Sequence, residues 1–302
     1  MSSTRRDGGA FAGYHPLVNF LYFVLVLLGA MIFMHPLALT ISLVGAFTYS
    51  VVLSGKKALK FNIKYCIPMM LITALVNPAF NHEGMTILTY LRNGNPLTLE
   101  SVIYGIAAAA MLITVIIWFS CYNAVMTSDK FVYLFGRIIP SLSLILSMVL
   151  RFVPRFKEQI RVISNAQKCV GRDVSNGGLM DRAKHGLKIL SIMTTWALEN
   201  AIETADSMKS RGYGLPGRTA FSIFRFDKRD RKALLAIALT GGLTYGGAFA
   251  GTMYWRYFPS MKGVNIGPIS ILTFLAYGAL CLVPVAIQLW EEHTWKRLQS
   301  NI

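Results

Sequence analysis

Nineteen of the thirty Lys and Arg residues in this 302-residue chain lie between Lys130 and Lys232, a block bounded on both sides by apolar runs of membrane length. That pattern limits the fold more than any motif does. A uniformly basic protein suggests nucleic acid, but here the charge is confined to one block of an oily chain. The sequence is 54% hydrophobic and only 15% charged, whereas soluble domains run at roughly 45–50% and about 25%. The expectation is an all-α polytopic membrane protein with a large basic cytoplasmic module, bound to lipid and not to nucleic acid.

Runs near the ~20 residues needed to cross a bilayer occupy Leu17–Phe33, Leu37–Leu53, Phe61–Val76, Glu100–Ala124, Ala233–Trp255 and Pro268–Trp290. The third is short and carries Lys64 and Pro68. Residues 1–124 then hold four spans, 125–232 the cytoplasmic module and 233–302 two further spans. Lys and Arg of short loops are retained in the cytoplasm. With both termini inside, Arg5, Arg6, Lys56, Lys57, Lys60, the central block, Lys296 and Arg297 are all cytoplasmic, and only Arg92, Arg256 and Lys262 lie outside. Ser3-Thr4-Arg5-Arg6 resembles the start of a twin-arginine signal, but no small-residue cleavage site follows the first run. The first span therefore reads as uncleaved.

Punctuation divides the chain further. His35-Pro36 turns the first stretch into a helical hairpin, because a residue before Pro is pushed out of the helical region. Asn77 to Gly84 reads as an external turn dense in helix breakers, and Thr98, Glu100 and Ser101 stand near the start of the fourth span as caps or first-turn residues. Gly242-x-x-x-Gly246 and Gly247-x-x-x-Gly251 in the fifth span allow close helix approach in lipid, within the chain or against a partner.

The central block is predicted to form long amphipathic helices. From Arg151 to Val170, Phe152, Val153, Phe156, Ile160 and Ile163 share one face. From Leu187 to Met208, Ile189, Ile192, Met193, Trp196, Ala205 and Met208 do likewise. Pro140 and Pro154 should kink or break the first of these. Such helices pack on each other, lie on the membrane or hold another protein.

Several chemistries are absent. There is no G-x-x-x-x-G-K-[ST] nucleotide loop. Five of the six spans lack an interior ionisable residue of the kind ion-coupled carriers use. Cys66, Cys121, Cys169 and Cys281 form no C-x-x-C pair, and the five His are scattered, so neither a metal nor a cofactor is expected. No catalytic constellation stands out. Function is thereby pushed into the basic block, where two helix-end signatures occur: Ser210-Arg211-Gly212, and Cys169-Val170-Gly171 followed by Arg172. Gly beyond a helix end with a cation in the last turn is ordinary capping chemistry. Arg at a rigid helix tip also forks onto a partner carboxylate, which Lys does not reproduce.

Three segments resemble one family, the transmembrane T component of energy-coupling factor (ECF) transporters. Asn77-Pro78-Ala79-Phe80-Asn81-His82-Glu83-Gly84 resembles its N-P-L-F-x-H-x-G segment, with Ala79 in place of Leu. Leu150-Arg151-Phe152-Val153-Pro154 resembles the L-R-F-I/V-P start of a coupling helix. Ser210-Arg211-Gly212 resembles the second of two x-Arg-Gly motifs. The first motif departs from the pattern: Cys169-Val170-Gly171 stands where Ala-Arg-Gly is usual, so either Arg172 supplies the missing charge or that dock is partly apolar.

The resemblance implies a non-catalytic subunit in a prokaryotic plasma membrane, coupling two cytoplasmic ABC ATPases, which carry the ATP and Mg, to a small membrane substrate-binding S component for uptake of a vitamin or other micronutrient. It further implies ATPase docking at Cys169, Val170, Gly171, Arg172, Ser210, Arg211 and Gly212. Contact with the S component is expected at Phe152, Phe156, Ile160, Ile189, Met193, Trp196 and Met208, whose apolar faces exceed what two helices need for mutual packing. The rival expectations are a self-contained secondary carrier with a basic regulatory domain and a membrane-bound enzyme acting at the basic block.

Overall fold

Ten α-helices carry the fold in a computed structural model that describes residues 9–90, 95–136, 139–172, 174–175, 178–215 and 224–300. The chain divides into two units, one formed by Met1–Lys130 with Phe224–Ile302 and the other by Phe131–Ile223.

In the first unit, a 3₁₀ turn at Ala10–Gly13 precedes α1 (Pro16–Ile32) and α2 (Pro36–Ser54). Each helix starts in the same way. Pro occupies the first turn, where no amide donor is needed, and the preceding His15 or His35 ring accepts the backbone N–H of Leu17 or Leu37. The long α5 (Leu99–Val125) packs on α1, α2 and α4 (Ile67–Phe80). The C-terminal α10 (Pro268–Ser300) packs on α2 and on α9 (Lys228–Phe249). Their shared core is aromatic, with Phe11, Tyr22, Phe23 and Trp118 meeting edge to face at centroid distances of 5.2–6.4 Å. Three buried polar tips find partners: Tyr22 donates to Cys281 O at 3.2 Å, Tyr257 to Met34 O at 2.8 Å and Trp118 Nε1 to Ser42 Oγ at 3.3 Å.

Among the described residues, four helical stretches are long and apolar enough to cross a membrane: α2, the run Lys56–Phe80, α5 and α10. The apolar α1 has 17 residues. The third span is longer than expected. α3 (Lys56–Phe61) passes through a π-helical turn, Asn62–Cys66, into α4, and Pro68 sits at the start of α4, directly after that turn. The expected external turn also moves, because Asn77 to Phe80 complete α4 with Pro78 inside it, and the extended segment begins at Asn81. A hairpin of β1 (Ile87–Tyr90) and β2 (Pro96–Thr98) follows. Thr98 is the N-cap of α5, accepting from Ser101 N at 3.3 Å, so Glu100 and Ser101 are first-turn residues. The fifth apolar run ends as helix at Phe249, short of Trp255, which belongs to the two-residue strand β3 (Trp255–Arg256) paired with β4 (Lys262–Gly263).

Among the described residues, Gly247 is the one motif glycine in close helix contact: a Cβ there would collide with the Thr273 side chain of α10. Gly242 and Gly246 have open space beside them, whereas Gly241, outside both motifs, abuts Leu25 of α1.

The second unit holds most of α6 (Ser128–Gly136) and two long helices, α7 (Pro140–Cys169) and α8 (Leu179–Ser210). At ~1.5 Å per residue, helices of 30 and 32 residues extend about 45 Å and 48 Å. Pro140 takes the first helical position, and α7 runs through Pro154 without a break.

Candidate coupling interface

The two predicted helix tips have one geometry. At the end of α7, Gly171 N donates to Lys168 O at 3.0 Å and Arg172 N to Gln167 O at 2.9 Å. At the end of α8, Gly212 N donates to Lys209 O and Tyr213 N to Met208 O, both at 3.0 Å. Both are Schellman motifs, with the glycine left-handed at φ +78° and +82°. The residue before each glycine is the C-cap, Val170 in α7 and Arg211 in α8. Arg172 is thus in register with Tyr213, and the position equivalent to Arg211 holds an apolar side chain that is 68% exposed. α9 ends with the same bonds around Ala250-Gly251, so this cap by itself ends helices and specifies no partner. Arg at the C-cap is what sets α8 apart. Arg211 is exposed with no side-chain hydrogen bond or ion pair among the described residues, and Cys169 and Ser210, one position earlier in each helix, are exposed beside their caps.

The apolar faces divide between two roles. Ile163, Ile189 and Met193 are buried at 7–8% exposure in a seam between α7 and α8, flanked by Phe156, Ile192 and Trp196. Phe156 meets Trp196 edge-on at 5.7 Å and stacks on Phe152 at 5.8 Å, while the Arg155 guanidinium lies over the Trp196 ring, 5.6 Å from its centroid. Ile160 is 46% exposed, and Met208, near the tip of α8, is half-buried. Further exposed apolar side chains lie outside the expected set. On α7, Ile145, Val149, Val153 and Ile160 follow at intervals of four, four and seven residues, one continuous stripe. On α8, Leu187, Leu190, Leu198 and Ile202 are similarly open. The periodicity of the sequence marks both stripes as apolar but does not say which of them the hairpin consumes.

The Asn77–Gly84 segment is tied to the start of α5. Asn77 Nδ2 donates to Ser101 O at 2.8 Å, Ser101 Oγ to Asn81 O at 2.7 Å and Thr98 Oγ1 to Glu83 O at 2.8 Å. The buried Glu100 carboxylate accepts from Thr86 Oγ1 at 2.9 Å and from Thr86 N. Any side chain at Gly84 would collide with Glu100 and Thr98. These bonds lock the α4–α5 corner, and every polar group of the segment named here is used internally.

Helices of membrane length, together with a helical unit that leaves long apolar stripes and a charged tip exposed, define an all-α polytopic membrane protein. Comparison with known proteins specifies it further. A family model described as CbiQ, cobalt transport protein, matches residues 14–221. A protein of Listeria innocua named energy-coupling factor transporter transmembrane protein EcfT is 30% identical over 234 residues, which cover 72% of this chain and 86% of that one. A protein of the same name from Lactobacillus helveticus is 38% identical over 106 residues, 35% of this chain and 38% of its own length. The EcfT of Leuconostoc gelidum is 35% identical over 100 residues, 33% and 37% of the two chains. With these last two, the match spans less than two-fifths of the relative's length. The chain belongs to the CbiQ/EcfT family of transporter transmembrane proteins.

Proposed function

We propose that this chain is the non-catalytic coupling subunit of an ECF-type ABC importer. It links two cytoplasmic ATPases to a membrane S component that captures a vitamin or another micronutrient. The observation that carries the reading is the exposed Arg211 guanidinium at the tip of α8. Long rigid helices that end in the same cap, one of them presenting an unpaired guanidinium, suit docking into grooves on two similar partners. In this reading the α8 tip docks through Arg211, and the α7 tip docks through exposed Val170 with Arg172 displaced beyond it. Closure of the ATPases moves the helices as levers, and the exposed stripes of α7 and α8 transmit the movement to the S component.

The membrane arrangement proposed with it has six spans, adding α1 and the apolar part of α9 to the four long stretches, and both termini in the cytoplasm. Residues 125–232 then form the coupling module on that side. The test is reconstitution. The chain alone in proteoliposomes should neither hydrolyse ATP nor transport, and uptake should appear only with two ABC ATPases and an S component added. Solute transport by the single chain would refute the proposal in favour of a self-contained carrier.

A further inference from the structure

The chain leaves the first unit after Lys130 and returns to it at Phe224. Residues just before the departure and just after the return bind the same short segment, residues 9–15, ahead of α1. From the departure side, Lys130 is a buried cation, 6% exposed, that meets no carboxylate among the described residues. Its ammonium donates to Val125 O, at the end of α5, at 3.0 Å, and to Ala12 O of the segment. Its third acceptor is Asn19 Oδ1 at 3.0 Å, in the amide orientation whose nitrogen donates to Phe11 O at 3.0 Å. Three donors and three oxygens match, which is what keeps a buried ammonium tolerable.

From the return side, two adjacent residues at the start of α9 hold the segment. Arg229 donates to Gly13 O at 3.2 Å, lies 4.3 Å from the Tyr14 ring centroid and pairs with Glu291 of α10 at 3.1 Å. Asp230, itself buried, accepts His15 N at 2.9 Å while closing the capping box of α9 with Asp227 N at 2.9 Å. A third hold comes from α10, where Gln288 Oε1 accepts Ala10 N at 2.6 Å.

We infer that residues 9–15 are a fixed strap joining both roots of the coupling module, and that Lys130 is a positioning residue for energy coupling. The physical reason lies in the levers. A helix some 45 Å long transmits a push at its tip only if its root does not yield. A loose root turns ATP-driven movement into local slack, whereas docking at the tip is unaffected.

The inference rests on the proposed coupling function, and its experiment separates the two. Lys130→Met and Gln288→Ala would be assembled with the ATPases and S component, and transport per ATP hydrolysed would be measured beside ATPase co-purification and thermal stability. Gln288→Ala releases only one bond of the strap, and so stands in if Lys130→Met does not fold. The expected result is normal ATPase binding and hydrolysis with transport per ATP reduced about fivefold or more. A ratio within about twofold of wild type in the folded variants would overturn the strap. Failure of the wild-type chain to bind any ATPase would overturn the coupling function and this inference with it. A short, reducible thiol cross-link between Ala10→Cys and Gln288→Cys, with the native Cys169 retained, should not lower the ratio below that of the same double variant in its reduced form. Loss of coupling on cross-linking would mean that the strap has to move, and would also overturn the inference.

Discussion

Val170 and Arg211 hold the same place in two helix ends, each a C-cap followed by a left-handed glycine, with φ/ψ of −93°/11° and −85°/7°. One tip therefore offers a guanidinium where the other offers a branched apolar side chain. Arg211→Ala is expected to weaken ATPase association by about 2–5 kcal/mol, the usual cost of truncating one partner of a buried charge pair. Arg211→Lys should restore only part of it, because the planar fork is lost. Arg172→Ala should cost much less, since Arg172 stands two residues beyond its cap. Co-purification titrated with ATPase concentration measures all three.

The glycines give a second test that separates folding from docking. Among the described residues nothing lies within 4 Å of a Cβ at Gly171, so its positive φ is what resists substitution. Gly171→Ala should cost about 1 kcal/mol of stability through left-handed strain. Gly171→Asn, which tolerates that conformation, should cost less. Thermal unfolding of the solubilised chain gives the order; equal losses for both would place the constraint elsewhere.

How much of this was legible in the sequence depended on the kind of signal. Helices of membrane length and the amphipathic pair were readable because apolar periodicity and charge depletion persist over many residues. The Arg211-Gly212 end was readable because glycine chemistry is local. Neither the π-helical turn at Asn62–Cys66 nor the β1–β2 hairpin left a comparable trace. The turn lies within an unbroken helical pattern, and the hairpin is too short for an alternating one. The partition of the apolar faces was also hidden. Met193 and Ile160 look equivalent along the chain, and only the crossing of α7 and α8 buries one and leaves the other exposed. Lys130 looked like one more charge in a basic block, yet it is buried through contacts with residues more than a hundred positions away.

That partition sharpens what substitutions in the hairpin should do. Met193→Ala removes a side chain buried in the seam and is expected to destabilise the hairpin by about 2–5 kcal/mol. Ile160→Glu and Val153→Glu alter the exposed stripe and should leave the hairpin folded while releasing the S component. Proteolytic resistance of the second unit and co-purification of the S component report the two effects separately. Loss of the ATPases from Ile160→Glu at normal hairpin stability would count against the stripe as the S-component surface.

Close approach of α9 and α10 depends on Gly247 alone among the four motif glycines. Thr273 is held there by a hydrogen bond to Ile269 O at 2.8 Å, and it receives one from Thr252 at 3.3 Å, so it has little room to retreat. Gly247→Val should overpack the contact and cost about 1–3 kcal/mol. Gly246→Val, beside open space, should cost about 1 kcal/mol or less. Melting temperatures in detergent compare the pair; a larger loss at Gly246 would mean that a partner helix covers that face.

Lys130 gives the chain a pH-dependent stability with a defined sign. Burial pulls its ammonium down from 10.5 to about 8. Between those two values the unfolded chain holds a proton that the folded chain has released. Stability linked to this group therefore rises as pH increases from about 8 towards 10.5, and below 8 the burial penalty is fully present. The groups around the ammonium, Ala12 O, Val125 O and the Asn19 amide, do not titrate in that range. Replacing Lys130 with Met removes the proton and the penalty together, along with the three bonds. The difference in melting temperature between wild type and Lys130→Met should thus change across pH 8–10, with the wild type gaining relative to the variant. A constant difference over that range would show that Lys130 keeps an ordinary lysine proton in the folded chain.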